Sequence, residues 1–157
     1  MLAIRMVLAI LVCVVAGDSS GLAQTQQPKW KVFVWVAADD YVTPLVAYAV
    51  KEELRRSQRY ESTPSDKDAL VTVALNGQDP NAAIGELKGL QSAIAVGLTI
   101  RNLLPRQPNN PQTFYPIYLG SKLQIVGRDQ ADNAAKSIVA YLDAKVDAYA
   151  AFLPTKK

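Results

Sequence analysis

The sequence lacks histidine altogether, and its one cysteine and two methionines all lie within the first 13 residues. Beyond residue 23 the chain therefore has no imidazole, thiol or thioether group. Histidine is the most frequent general base, and cysteine and histidine are the usual zinc ligands. These absences exclude thiol nucleophiles, Ser-His-Asp triads and ordinary zinc sites from that part of the chain. They also exclude disulfides, so its stability must come from the hydrophobic core.

The chain also has little clustered charge of one sign. Its 17 Lys and Arg residues against 14 Asp and Glu residues give a net charge of +3 that is spread along the sequence. The densest basic group, Arg55, Arg56 and Arg59, lies at the end of a predicted helix, where cations complement the negative end of the helix dipole. Because no basic block follows the spacing of a phosphate backbone, we expect no nucleic-acid partner.

Residues 1–23 have the three-part pattern of a secretory signal peptide. A single positive charge at Arg5 precedes an apolar run over residues 6–16, and small residues lead up to Ala23. The run is shorter than the roughly 20 residues that a membrane-spanning helix needs, which favours cleavage after Ala23 over an uncleaved anchor. The sequence thus predicts that a single domain, residues 24–157, is exported to the periplasm or, alternatively, secreted from the cell.

Hydrophobic periodicity predicts six elements in this domain, in the order β-α-β-β-β-α. Strands are predicted over residues 30–37, 68–76, 91–103 and 114–126, and helices over residues 43–58 and 129–153. Thr43 followed by Pro44 favours a helix that begins with a threonine cap, and residues 60–67 read as a polar turn. The prediction is one α/β (α+β) domain, a two-layer sandwich in which both helices cover one face of a mixed four-stranded sheet.

This order and patterning resemble those of small exported proteins whose fold is like the amino-terminal domain of the periplasmic protein TolB. The segments that carry the resemblance are LVAYAVKEELRRSQRY at 45–60, ALVTVALN at 69–76 and IVGRDQADNAAKSIVAYLDA at 125–144. The resemblance spans most of residues 24–157 and rests on element order and patterning rather than on a motif. It implies a partner-binding module of the cell envelope rather than an enzyme, and it identifies no particular partner.

Two adjacent carboxylates, Asp39 and Asp40, follow the first predicted strand. The carboxyl ends of such strands are where α/β proteins place ligands, and a carboxylate pair there could hold a divalent cation or serve a hydrolase. Acidic residues also favour helix starts for purely structural reasons. A small-ligand or cation site and, less favoured, a carboxylate-dependent hydrolase remain alternatives, whereas Ser121 and Lys122 cannot form a dyad if they point to opposite faces of a strand. We expect no cofactor.

The sheet face that the helices leave uncovered gives the leading functional hypothesis. Alternation turns Val32 and Val34 toward the helices and turns Phe33 and Trp35 to the opposite face. The binding residues predicted on that face are Phe33, Trp35, Thr72, Thr99 and Arg101. Because exposed aromatic patches often mark interfaces, the sequence predicts a non-enzymatic module that binds another envelope protein, or a second copy as a homodimer, through this face. The alternative is that residues 76–90, or the lead segment 24–28, cover both aromatic side chains.

A second interaction route is the pairing of a partner strand with an edge of the sheet. The predicted strands 69–76 and 92–100 carry no charged residue, so either one would accept a partner strand if it lay at an edge. The alternative, which the expected connections favour, is that both strands are central.

Overall fold

The computed structural model describes residues 29–101 and 116–153. The predicted signal peptide and the ends of two predicted strands, at 102–103 and 114–115, lie outside the described residues. Within that part of the chain, no helix is long and apolar enough to cross a membrane.

The described residues form one open sheet of five strands and two long helices, which confirms the predicted fold class. In chain order the elements are β1 (Trp30–Ala38), α1 (Val42–Arg56), β2 (Tyr60–Thr63), β3 (Val71–Gln78), β4 (Gln91–Arg101), β5 (Pro116–Gly127), a single 3-10 turn (Arg128–Gln130) and α2 (Ala131–Ala150). Both helices pack against each other and against the same face of the sheet.

The predicted count of four strands was wrong because β2 lies in the segment that reads as a polar turn. β2 is only four residues long, and in its sequence YEST only Tyr60 is buried, whereas the other three side chains are polar. It pairs in parallel with the start of β1, with Trp30 opposite Tyr60, and the Tyr60 side chain is fully buried under the helices. Long-range pairing and the burial of one ring therefore create this strand, since its own composition is too polar to predict one.

The strand order is β2-β1-β3-β4-β5, so β2 and β5 are the edges. β1 is parallel to both β2 and β3, whereas β4 runs antiparallel to β3 and to β5. β3 and β4 contain the uncharged segments considered for edge pairing, and both are central. Their alternative placement in the middle of the sheet is thus confirmed, and the available long edge is β5.

The hydrophobic core lies between the sheet and the helices. Side chains of β1, β3 and β4 alternate as predicted, and every second one is buried: Val32, Val34, Val71, Val73, Leu75, Ile94, Val96, Leu98 and Ile100. For α2, apolar spacing in the sequence predicts a buried stripe of Ala131, Ala135, Ile138, Leu142, Val146 and Tyr149. All of these residues are buried except Ala131, which is partly buried at the start of the helix. Each such aliphatic side chain contributes about 1.5–3 kcal/mol on burial, so this two-layer core is what fixes the sheet beneath the helices.

Candidate functional site

The face of the sheet opposite the helices, here called the open face, carries exposed apolar side chains in the described structure. Trp35 is 45% exposed, and Leu123 and Ile125 at the margin are 71% and 66% exposed. The side chains that make up the open face are Phe33, Trp35, Ala37, Thr72, Ala74, Asn76, Gln78, Ala93, Ala95, Gly97, Thr99, Arg101, Tyr118, Ser121, Leu123 and Ile125. Cross-strand partners point to the same side of a sheet, so the register brings these residues together.

The structure places the five predicted binding residues on one face, as alternation requires. Phe33, Thr72 and Thr99 are cross-strand partners and form a single row, to which β5 adds Tyr118. Trp35 lies in the next row. Phe33 is partly buried and Trp35 is exposed. Of the two segments considered as covers for these rings, residues 24–28 lie outside the described residues, so the covering alternative stays open.

Arg101, the last residue of β4, lies at one end of the open face and anchors the segment that joins β2 to β3. Its guanidinium donates hydrogen bonds to the carbonyl oxygens of Asp66 and Lys67, at 3.0 and 2.8 Å. Both carbonyls belong to the segment that joins β2 to β3. Arg101 therefore fixes that segment against the end of β4, a structural role that the sequence alone did not indicate.

Small side chains beside Trp35 explain why its indole stands out from the sheet. Its row continues through Ala74 of β3 and Gly97 of β4. A Cβ atom placed on Gly97 would meet only the Ala74 methyl group, at 3.8 Å, so the floor of this row is low and uncrowded. A partner's side chain could pack on Ala74 and Gly97, against the side of the Trp35 ring.

A shallow cavity of about 480 Å³ lies on the open face where β1 and β3 end. Its lining residues are Ala37, Ala38, Asp39, Asn76, Gly77, Gln78, Ala93, Ala95 and Leu123. The floor consists of alanines, and the polar groups are one carboxylate and two side-chain amides. Its volume is within the range of small-molecule sites, and the carboxyl ends of parallel strands are a frequent position for them.

The two adjacent carboxylates do not form one site. Asp40 is buried, and its Oδ1 accepts hydrogen bonds from the backbone N–H groups of Val42 and Thr43, both at 2.7 Å. Its Oδ2 accepts from the hydroxyls of Thr43 at 2.7 Å and Ser92 at 3.0 Å. Asp39 is exposed and lines the cavity instead. Among the described residues, no group of three or more His, Cys, Asp or Glu side chains could hold a metal ion.

Asp40, rather than the predicted Thr43, therefore satisfies the first free N–H groups of α1. Thr43 lies inside the helix, and its hydroxyl bonds both Asp40 and Ser92, which begins β4. The cluster joins the end of β1, the start of α1 and the start of β4. Aspartate is a preferred helix-capping residue, so Asp40 just before the apolar helix was the signal in the sequence that could have identified the cap.

Ser121 and Lys122 point to opposite faces of β5, as expected, because they pair with Gly97 and Val96 respectively. Lys122 instead reaches α2, where its Nζ donates to the Ser137 hydroxyl at 2.8 Å and to the Ser137 carbonyl at 3.1 Å. Burial of the ammonium lowers the pKa of Lys122. This amine and hydroxyl pair lies on the helix side of the sheet, away from the cavity, and sequence spacing could not reveal it.

The basic residues near the end of α1 are used in ion pairs within the chain. Arg55 and Arg56 pair with Glu52 and Glu53 one turn earlier. Arg59 pairs with Asp143 and Asp147 of α2, and the hydrogen bond to Asp147 raises the pKa of Arg59 and lowers that of the carboxyl group. These contacts give each of the three arginines a carboxylate partner within the chain.

No protein-family model matches this sequence, and no curated protein matches it either. The functional argument therefore depends on the open face and its surroundings.

Proposed function

We propose that the protein is an exported, non-enzymatic module that binds another protein of the cell envelope through the open face. The observation that carries this proposal is the exposed Trp35 beside a low floor of small residues, continued to the sheet margin by Leu123 and Ile125. Four neighbouring strands and roughly 20 Å of strand length give the open face a planar area of about 400 Å². This is the size of the largest exposed patch on a typical monomer, and such patches are often functional.

The composition of the open face supports a protein partner. Interface cores are enriched in aromatic side chains and poor in charge, and the middle of this face combines Trp35 and Phe33 with alanine, threonine and glycine. Its charged groups lie at the two ends of the strands, with Lys31, Glu61 and Arg101 at one end and Asp39 at the other. A neutral, aromatic centre between charged margins is the arrangement in which most of the binding free energy comes from a few central residues.

Replacement of the central indole tests the proposal. We expect Trp35→Ala to lower recovery of a partner from envelope extract of the source organism at least about tenfold, because truncation of a hot-spot aromatic costs 2 kcal/mol or more. Tyr48→Ala is the matched control, because Tyr48 is an exposed aromatic residue of α1 on the opposite side of the molecule. Equal recovery with folded wild type and folded Trp35→Ala would show that the open face is not the binding surface.

Export is tested separately from binding. The signal pattern predicts that the protein recovered from the periplasm or the medium begins at Gln24, which amino-terminal sequencing would show. Recovery of only uncleaved chain in the cytoplasm would contradict export and leave the binding experiment unaffected.

The cavity at the end of β1 and β3 favours a second candidate, a small-ligand or cation-binding protein. Asp39 is the carboxylate that lines this cavity, so Asp39→Asn should abolish any calcium or magnesium binding measured by calorimetry. Absence of heat, together with an unchanged melting temperature, would remove the cation as a candidate. The hydrolase alternative has no comparable support, because the carboxylate pair on which it depended is divided between a buried cap and an exposed rim.

A further inference from the structure

The outer strand β5 forms a long edge of the sheet that lacks a pairing partner among the described residues. It has 12 residues, whereas the opposite edge, β2, has four. Within the described part of the chain, only the inner side of β5 is paired, with β4. An edge strand presents unpaired backbone N–H and C=O groups and will pair with another strand unless the protein protects it.

The second half of β5, residues 121–127, carries few of the devices that normally protect an edge. Its sequence SKLQIVG has one charge, and that charge, the Lys122 ammonium, is turned to Ser137 of α2 rather than outward along the open face. A proline stands only at the first residue of the strand, and the β-bulge lies opposite Leu98 and Thr99, in the first half. The exposed side chains of Leu123 and Ile125 extend the open face up to this unprotected edge.

The side of α2 that lies above the β5 edge allows a second helix to approach. Lys122 and Ser121 of β5 contact Ser137 and Tyr141, so these residues of α2 lie on the side of the edge. Helical periodicity places Ala144 and Ala148 on that same side, and both are exposed. The partly buried Lys145 also lies there, but its ammonium is folded over the Tyr141 ring and toward Gly120 of β5. Small side chains allow a second helix to approach closely, because the distance between packed helix axes depends on the side chains at the contact.

We propose that β5 and α2 form the interface of a two-fold symmetric homodimer. In it, β5 pairs antiparallel with β5 of a second copy, and α2 packs beside the α2 of that copy. A two-fold axis relates identical surfaces, and antiparallel edge strands satisfy that symmetry. The proposal goes beyond the binding of an envelope partner, since it uses the β5 edge and α2, shares only the marginal side chains Leu123 and Ile125 with the open face, and leaves the centre of that face exposed.

A second copy fits this edge better than a lone peptide strand because the edge has two layers. A peptide added to β5 would cover the sheet layer only and would leave the small-residue side of α2 uncovered. A partner that covers both layers must itself have an edge strand with a helix about 10 Å above it. A second copy of this chain has that arrangement. Two copies would also extend Leu123 and Ile125 into a continuous apolar row across both sheets.

The area of this surface suits a dimer that dissociates on dilution. The 20 residues of α2 are about 30 Å long, and a strand-and-helix wall roughly 20 Å high gives about 600 Å² per copy. Typical specific complexes bury about 800 Å² per partner, and weaker ones bury less. We therefore expect a reversible equilibrium between monomer and dimer rather than a permanent assembly.

Sedimentation velocity over about two decades of protein concentration tests the proposal, because mass action shifts a reversible dimer over that range. The wild-type chain lacking residues 1–23 should change from monomer to dimer. Leu123→Lys places a charge on the edge, and Ala144→Lys places one on the helix layer. Each should weaken dimerisation at least about tenfold, which corresponds to the loss of one good interface contact.

Leu87→Lys is the matched control, because Leu87 is an exposed leucine in the connection between β3 and β4, and this variant should dimerise like wild type. Trp35→Ala should also dimerise normally, because β1 is separated from β5 by β3 and β4. A wild type that stays monomeric overturns the proposal. So does a dimer that survives either edge variant, or one that Leu87→Lys also abolishes.

These outcomes are separate from those of the envelope-partner experiment. If the edge variants are monomeric but Trp35→Ala has no effect on partner recovery, the homodimer stands and the proposed function fails. The reverse pattern leaves the open face as a binding site of a monomer.

Discussion

Both carboxylate oxygens of Asp40 accept hydrogen bonds from groups of the protein itself. Asp39, which is exposed, is therefore the carboxylate that a ligand can reach. Four hydrogen bonds converge on Asp40, two from backbone N–H groups at the start of α1 and two from hydroxyls. Loss of a helix cap costs about 0.5–2 kcal/mol, and a hydroxyl left unsatisfied in the interior costs about 1–3 kcal/mol. Asp40 is therefore a structural residue, and any ligand at the carboxyl end of β1 would meet Asp39.

At the same scale, the hydrogen-bonded cluster of Asp40, Thr43 and Ser92 leaves no space for a side chain at Gly77. A Cβ atom on Gly77 would lie 1.7 Å from the Thr43 hydroxyl oxygen and 2.5 Å from Asp40 Oδ2. Those atoms cannot withdraw without breaking their own hydrogen bonds. We expect Gly77→Ala to lower the free energy of unfolding by about 3 kcal/mol, measured by urea denaturation.

Gly85 provides the control for this prediction. A Cβ atom there meets nothing within 4 Å, so Gly85→Ala should leave the free energy of unfolding within about 0.5 kcal/mol of wild type. If both glycine variants are equally stable, the packing described around Asp40 is incorrect.

At the scale of elements, a polar clamp joins β2 to α2. The Tyr60 hydroxyl donates to Asp143 at 2.7 Å, while the Arg59 guanidinium lies over the Tyr60 ring and pairs with Asp143 and Asp147. Burial, and then the hydrogen bond to Asp143, raise the pKa of Tyr60 well above its ordinary value. A short, polar strand is thus held at its edge by one buried ring and its carboxylate partner.

This clamp predicts a loss of stability at alkaline pH. Because the pKa of Tyr60 is higher in the folded than in the unfolded chain, its contribution is fully present below the ordinary tyrosine pKa of about 10 and is lost as the pH rises above it. The free energy of unfolding should fall by up to about 1.4 kcal/mol per pH unit in that range. Tyr60→Phe should remove this slope, while Tyr48→Phe, at an exposed position, should keep it.

Urea denaturation at a series of alkaline pH values measures the effect. An identical slope in wild type and Tyr60→Phe would contradict the raised pKa. On the acid side, the Arg59 contact lowers the pKa of Asp147, so that its stabilisation is present above the ordinary aspartate pKa and is lost as the pH falls through the lowered value. This carboxylate is exposed, so the acid effect should be small.

At the scale of the whole molecule, helices cover one sheet face and leave two adjoining surfaces for binding. One is the centre of the open face around Trp35, and the other is the β5 edge with the adjoining side of α2. A homodimer through the open face, the arrangement expected from the sequence, would bury Trp35. A homodimer through the β5 edge would leave it exposed, so one side chain distinguishes the two assemblies.

Fluorescence quenching can make that distinction. The chain has two tryptophans, and Trp30 is partly buried against the core, so a Trp30→Phe variant reports on Trp35 alone. We expect acrylamide to quench Trp35 equally well at concentrations that give monomer and at those that give dimer. Protection of Trp35 on dimerisation would favour the face-to-face assembly over edge pairing.

Much of the architecture follows from local periodicity in the sequence. The alternation Ile94, Val96, Leu98 and Ile100 determined both the strand and its buried side, and it assigned Thr99 and Arg101 to the other side. The repeat of apolar residues at three- and four-residue spacing in α2 determined its buried stripe. Such patterns can be predicted because the period of the backbone alone decides which side chains share a face.

Only the tertiary structure decided the features that depend on distant partners. The polar segment at Tyr60 became a strand because β1 and the helices were there to pair with it and bury its ring. Asp40 is buried, unlike Asp39, because hydroxyl groups of α1 and β4 donate hydrogen bonds to it. Lys122 donates a hydrogen bond to Ser137 on the helix that follows β5 in the chain. Strand order, and with it the exposed β5 edge, belongs to the same group, because pairing and burial are properties of contacts that sequence distance does not set.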